Sequence, residues 1–235
     1  MQHDHTSKQF DNEMEAIRGA VLTMGGMVER QIKRAIDAFG NGDADPLAPI
    51  LDDERIVNNM QIEIDRQCCN IIVRRQPAAI DLRIVMTVIQ IVNDLERVGD
   101  EAKKIALRAR PLAGIEDRSA PMRGNEIGHI SEMARAMLRA ALDAYARLDV
   151  AAAAEVIARD EQVDIEFAAI TRQLMDSMME DPRTISATLD ALFIAKSIER
   201  IGDHATNIAE YVIHIVKGKD MRHAPLEDIR REAGA

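Results

Sequence analysis

RIVMTVIQIVNDLERVGDEAKKI, residues 83–105, decides the fold. Within it Ile84, Val88, Ile91, Leu95, Val98, Ala102 and Ile105 recur at alternating spacings of four and three. That rhythm lines one face of an α-helix, and no proline interrupts it. The stretch reads as a long helix with a single apolar seam turned toward partner helices. Ile185 and Leu189, followed by Ile194, Ile198, Ile201, Ala205, Ile208, Val212 and Ile215, read the same way. Breakers divide the rest of the chain. Gly40-Asn41-Gly42-Asp43 with Pro46 ends a first helix. Gln76-Pro77 ends a second, and Pro77 suits the opening of a third. Pro111, Gly114 and the run Pro121 to Gly124 form the longest connection, Leu148-Asp149 makes a tight turn, and Asp181-Pro182 is the last strong break. Six helices are predicted, near 8–39, 46–75, 78–111, 125–147, 150–179 and 183–217, with a charged tail after them that is frayed or weakly helical.

Composition agrees. Of 235 residues, 47% are hydrophobic and 30% charged, enough to bury a sizeable core. Aromatics reach only 3%, with no Trp and 13 Met, which favours helices over a sandwich, a barrel or a large parallel sheet. The Met residues of the first helix, Met14, Met24 and Met27, are expected in the core. A net charge of −10 excludes nucleic acid and anionic membrane as partners, since both need a positive field. Cys68 and Cys69 are neighbours on one helix and point apart, so they imply neither a disulfide framework nor a thiolate metal site. MQHDHTSKQF at the start lacks the pattern of a signal peptide, and the most apolar stretch, Ile84 to Val92, is too short to span a bilayer. The expected setting is cytoplasmic, without direct membrane insertion.

The two halves repeat. NDLERVGDEAKKI (93–105) lies over KSIERIGDHATNI (196–208) with 6 of 13 positions identical, where chance gives roughly one. Ala35 to Phe39 likewise lies over Ala141 to Tyr145, and Glu54 to Asn58 over Asp160 to Asp164. The expected architecture is all-α: two tandem, similar up-down-up three-helix bundles, 1–115 and 116–218, and a tail from 219 to 235. They either share a hydrophobic surface or lie end to end.

The repeat places acids at equivalent positions. Glu54/Asn58 and Asp160/Asp164 fall on the second helices, Glu96/Asp100 and Glu199/Asp203 on the third. A spacing of four puts both members of a pair on one helix face, one turn apart. Glu54 occupies the seam Ile50, Val57, Gln61, Ile64, Cys68, Ile71, and Asp160 interrupts Val156, Val163, Phe167, Ile170, Leu174. An acid in an apolar seam is costly unless it is paired or binds a cation. Converging carboxylates repel, and a cation resolves the repulsion. Oxygen ligands favour magnesium, manganese, calcium or iron over a thiolate-type zinc site. The alternative is a solvated acidic groove or a salt-bridge network. Gly99 and Gly202, each costing roughly 1 kcal/mol inside a helix, point to the close approach of another helix or of the site. His204 reads as a surface or supporting histidine beside Asp203, and His3-Asp4-His5 as part of an unstructured terminus. Glu126-Ile-Gly-His129 is the lone Glu-x-x-His, whereas a carboxylate-bridged di-iron site needs two.

QPAAIDLR (76–83), DLERVGDEAKKIA (94–106) and IERIGDHATNIAEYV (198–212) together resemble the PhoU family of phosphate-uptake regulators. Met24-Gly25 and Asp160-x-x-Val-Asp164 fit the same pattern, and the likeness covers about residues 8–217. The resemblance implies a negative regulator of phosphate uptake and of the phosphate-starvation response, with no catalytic activity. It implies partners, the ATPase subunit of a phosphate ABC transporter and a phosphate-sensing histidine kinase, and a homodimer. It also implies metal clusters of iron, manganese, magnesium or zinc held by Glu54, Asn58, Glu96 and Asp100 in the first half, and by Asp160, Asp164, Glu199 and Asp203 in the second. Asn58 stands where the second half has Asp164, so the first site is expected to bind more weakly, and Lys104, matching Asn207, to weaken it further. Two other readings stay open: a metal-dependent enzyme of di-iron or phosphatase type, and a helical scaffold whose acids are only solvated.

Overall fold

The computed structural model describes residues 2–41, 47–77, 79–112, 125–221 and 224–233. Seven helices follow in order: α1 (Gln2–Asn41), α2 (Leu47–Arg75), α3 (Ala79–Ala109), α4 (Asn125–Arg147), α5 (Val150–Glu180), α6 (Ile185–Lys217) and α7 (Leu226–Ala233). Among the described residues there is no strand. The predicted seam of α3 is the core of the first half: Val88, Ile91, Leu95, Val98, Ala102 and Ile105 are all 1% exposed or less. Each of these Val, Ile and Leu side chains contributes about 1.5–3 kcal/mol on burial. The α6 seam is buried from Ile194 to Ile215, and Met24 is fully buried, with Met14 and Met27 packed against the core. Cys68 is buried and Cys69 exposed. Burial pushes the Cys68 thiol up to about 12, which keeps it protonated and inert.

Local chemistry sets the boundaries. Gln76 takes a left-handed φ of 48° just after α2. Leu148 does so at 52°, and Asp149 then caps α5, its Oδ1 accepting from the Ala152 N–H at 3.0 Å. Asp181 accepts from the Arg183 N–H at 3.0 Å and opens a 3-10 turn, Pro182–Thr184, so α6 starts at Ile185, two residues later than predicted. α6 ends on Gly218, at φ 72°, whose N–H reaches the His214 carbonyl at 2.9 Å.

The two ends of the chain are more ordered than unstructured segments would be. α1 is helical from Gln2, so the terminus joins the helix; the side chains of His3, Asp4 and His5 lie outside the described residues. Of the two readings of the tail, frayed or weakly helical, the helical one holds, and α7 also docks: it folds back on α5 and buries Ile229 to 1% exposure. Ile229 is the buried anchor of a segment whose composition is mostly charged, with Met221, Ala224 and Ala233 packed against the same core. The boundary drawn at 115/116, and the breakers Gly42, Asp43, Pro46, Gly114, Pro121 and Gly124, also lie outside the described residues.

The two three-helix units pack side by side on a shared surface. α3 and α6 run antiparallel: Arg83 donates to the Ile215 carbonyl at 3.1 Å at one end, and Arg108 to Asp190 at 3.0 Å at the other. α1 crosses α4 at Gly25, where an added Cβ would stand 2.5 Å from a Leu142 methyl. Glu29 of α1 meets Arg135 of α4 at 3.6 Å and also Arg139. Buried side chains of both units form one continuous cluster.

Candidate functional site

Each unit sets its acidic pairs in the groove between its second and third helices. In the second unit Asp160 sits half-buried in the α5 seam between Val156 and Val163, and Glu199 is 9% exposed on α6. Asp164 and Asp203 are exposed at the mouth of the groove. Burial first, then the charges of Asp203, Asp164 and Glu199, push the Asp160 carboxyl up to about 6. Glu199 is also raised, by burial, against the pull of Lys196. All four predicted residues of this half therefore act on one another. Lys196 binds both carboxylate oxygens of Glu199, each at 2.6 Å, and lies 5.3 Å from the centre of the Phe167 ring. Gly202 lets the site close: a Cβ there would lie 3.5 Å from Val163 and 3.6 Å from Asp160 Oδ1.

In the first unit Glu54, Asn58, Glu96 and Asp100 are half-buried. Burial, then Asp100, raise the Glu96 carboxyl, and Glu54 adds to the shift. Lys103 donates to Glu54 at 2.6 Å, and its ammonium is held charged by that bond and by Asp100 and Glu96. Here the sequence reading needs correcting: Lys103, not Lys104, faces this site. Lys104 donates to Glu101 at 2.9 Å instead. Lys103 stands three residues after Asp100 and seven after Glu96, a spacing that puts it on their face. Gly99 lies against Gln31 and Val57, 3.2 and 3.6 Å from an added Cβ.

As they stand, no three His, Cys, Asp or Glu side chains among the described residues gather tightly enough to hold an ion. A lysine ammonium supplies the positive charge in each groove. The second groove sets four carboxylates against Lys196, a formal balance of −3; the first sets three against Lys103, a balance of −2. The donors are all oxygen in both, apart from the lysines. That chemistry fits a hard cation, and fits it better in the second groove.

His204 is not a surface group: it neighbours Asp203, whose carboxyl it pulls down, but its ring turns toward the other unit. It is 7% exposed, and its Nδ1 lies 2.7 Å from Oδ1 of Asp94 on α3, which also accepts from Asn207 at 3.1 Å. Glu101, 2% exposed, takes Lys104 from its own helix and Arg200 from α6 at 3.3 Å. This buried polar band joins the units, and the periodicity of one helix carries no signal for it. Glu126 and His129 are both exposed and form no site.

Comparison with known proteins gives this pair of grooves a family. The family model described as PhoU domain matches twice, over residues 21–109 and 127–212. The chain belongs to the PhoU family. It is 44% identical over 229 residues to the phosphate-specific transport system accessory protein PhoU homolog of Burkholderia sp, covering 97% of each chain. It is 44% identical to the phosphate-specific transport system accessory protein PhoU of Escherichia coli K12, covering 93% of this chain and 90% of that one. It superposes on the crystal structure of PhoU from Pseudomonas aeruginosa with a TM-score of 0.84 at 42% identity, over 89% of this chain and 100% of that one. The phosphate transport system regulatory protein PhoU from Streptococcus pneumoniae gives 0.82 at 25% identity. PhoU proteins are accessory regulators, and the chain is not an enzyme. No helix among the described residues is long and apolar enough to cross a membrane.

Proposed function

We propose that this chain regulates phosphate transport as a metal-binding adaptor, repressing uptake and the phosphate-starvation response when phosphate is plentiful. The phosphate-transport role is supported by near full-length identity to accessory proteins of that system. The adaptor would stand between the ATPase subunit of the phosphate transporter and a sensor histidine kinase, in the cytoplasm and as a homodimer. Deleting the gene should derepress phosphate-starvation genes in phosphate-rich medium; unchanged expression overturns the regulatory reading.

Metal binding is carried by one observation, the convergence of Asp160, Asp164, Glu199 and Asp203, with Asp160 pushed up to about 6 by burial and by the other three. A divalent or trivalent cation there would supply charge neutralisation and lock α5 to α6. Lys196 would give up Glu199 as that charge arrives. The first groove, with Asn58 neutral and Lys103 on Glu54, would bind the same ion more weakly. Titration calorimetry with manganese checks this: Asp203→Ala should cost more affinity than Asp100→Ala. Equal losses overturn the ranking of the grooves. No heat and no thermal shift with manganese, iron or magnesium leaves the acids as a solvated face.

A further inference from the structure

A cavity of about 220 Å³ opens at the joint between the two units, and none of the paired acids lines it. Its apolar wall comes from the first unit: Phe10, Met14 and Ile17 of α1, and Ile84, Val85 and Val88 of α3. Its far side comes from the second unit, at Tyr145 and Leu148, where α4 turns into α5. The segment around it is firmly set, since Leu148 holds its left-handed φ and Asp149 caps the next helix.

The polar groups in the wall are unequal in sign. Asp11, Glu15 and Asp81 face one cation, Arg18, which lies 4.0 Å from Glu15. That leaves Asp11 and Asp81 without an ion pair among the described residues. Tyr145 is 3% exposed and lines the cavity. A hydroxyl on a cavity wall is positioned to take a ligand's hydrogen bond. Burial raises the Tyr145 hydroxyl well above its ordinary value, so it stays neutral and adds no charge of its own.

We propose that this cavity binds a small amphipathic cation, an ammonium or guanidinium group on a short apolar body. The apolar body would lie against Ile84, Val85 and Val88. The cationic N–H groups would face Asp81 and Asp11 and offer a donor to the Tyr145 oxygen. An anion of the same shape would meet a wall with two more carboxylates than cations. Because both units build the site, occupancy would clamp α1 and α3 to the α4–α5 turn and stabilise the whole chain by mass action.

The test uses three probes with one apolar body: 2-phenylethylamine, 2-phenylethanol and 3-phenylpropionate. Titration calorimetry and thermal melts of the full chain should rank the amine first, the alcohol second and the acid last. The amine should perturb the methyl signals of Ile84, Val85 and Val88. Asp81→Asn should weaken the amine about fivefold, the value of one partly exposed ion pair, and leave the alcohol unchanged. Tyr145→Phe should weaken both hydrogen-bonding probes. An amine that binds no better than the acid overturns the proposal. So does amine binding that survives Asp81→Asn undiminished, since that marks general attraction to an acidic surface. Asp81 is half-buried on the first turn of α3, so its variant reports even where Tyr145→Phe fails to fold.

Discussion

Asp160 gives the second groove a pH signature. Its carboxyl stands near 3.8 in an unfolded chain and is raised to about 6 in the folded one, first by burial and then by Asp203 and Asp164. The folded state therefore binds this proton more tightly. Its contribution is fully present below about pH 4, drains away as pH rises through 6, and is constant above that. Metal-free protein should thus melt lower at pH 7 than at pH 5, and Asp160→Asn should flatten that slope. A slope that survives the substitution unchanged assigns the effect to other groups. Gly218 tests backbone and contact together. Its φ of 72° disfavours any side chain, and an added Cβ would stand 2.7 Å from the Arg83 guanidinium that bonds the Ile215 carbonyl. Gly218→Ala should cost about 1–2 kcal/mol in chemical denaturation. Asn there, which tolerates the left-handed region, should cost less on the backbone side.

Among the elements, the long amphipathic helices were legible because their spacing repeats over many turns, as from Ile84 to Ile105. What one helix alone does not encode was missed. α7 offers only Leu226 and Ile229 as large apolar groups in eight residues, too few to show a period, yet Ile229 is docked against the core. The acidic pairs were legible because the repeat displays them twice. The lysines that compensate them were not, because the two halves use different positions: Lys103 follows the acids of α3, whereas Lys196 precedes those of α6. Lys104 was the wrong choice by one residue, which on a helix is a turn of about 100° to another face. Ile229→Ala should cost about 2–4 kcal/mol if α7 unfolds with the rest of the chain. Thermal melts together with amide exchange on α7 check this. Fast exchange with an unchanged melt would show that α7 opens alone.

At the scale of the whole molecule, the sequence left two arrangements of the bundles open, and the choice lies in contacts between residues about 110 apart. Asp94 meets His204 across α3 and α6, Glu101 meets Arg200, and Gly25 admits Leu142 where α1 crosses α4. None of these pairs has a local spacing that a single-helix pattern could reveal. Together with the apolar seams they make the third helix of each unit part of the other unit's core. A separated unit would bare the α3 or α6 face along its length, so each half is expected to lose its fold without the other. Calorimetry should therefore show one cooperative transition, with calorimetric and van't Hoff enthalpies equal, rather than two. Removing the His204 ring strips a buried Asp94 oxygen of one of its two partners. His204→Ala should lower the stability of that single transition by about 1–3 kcal/mol without splitting it. Two resolved transitions in the wild type would show instead that each unit holds its own core and that the α3–α6 contact only docks them.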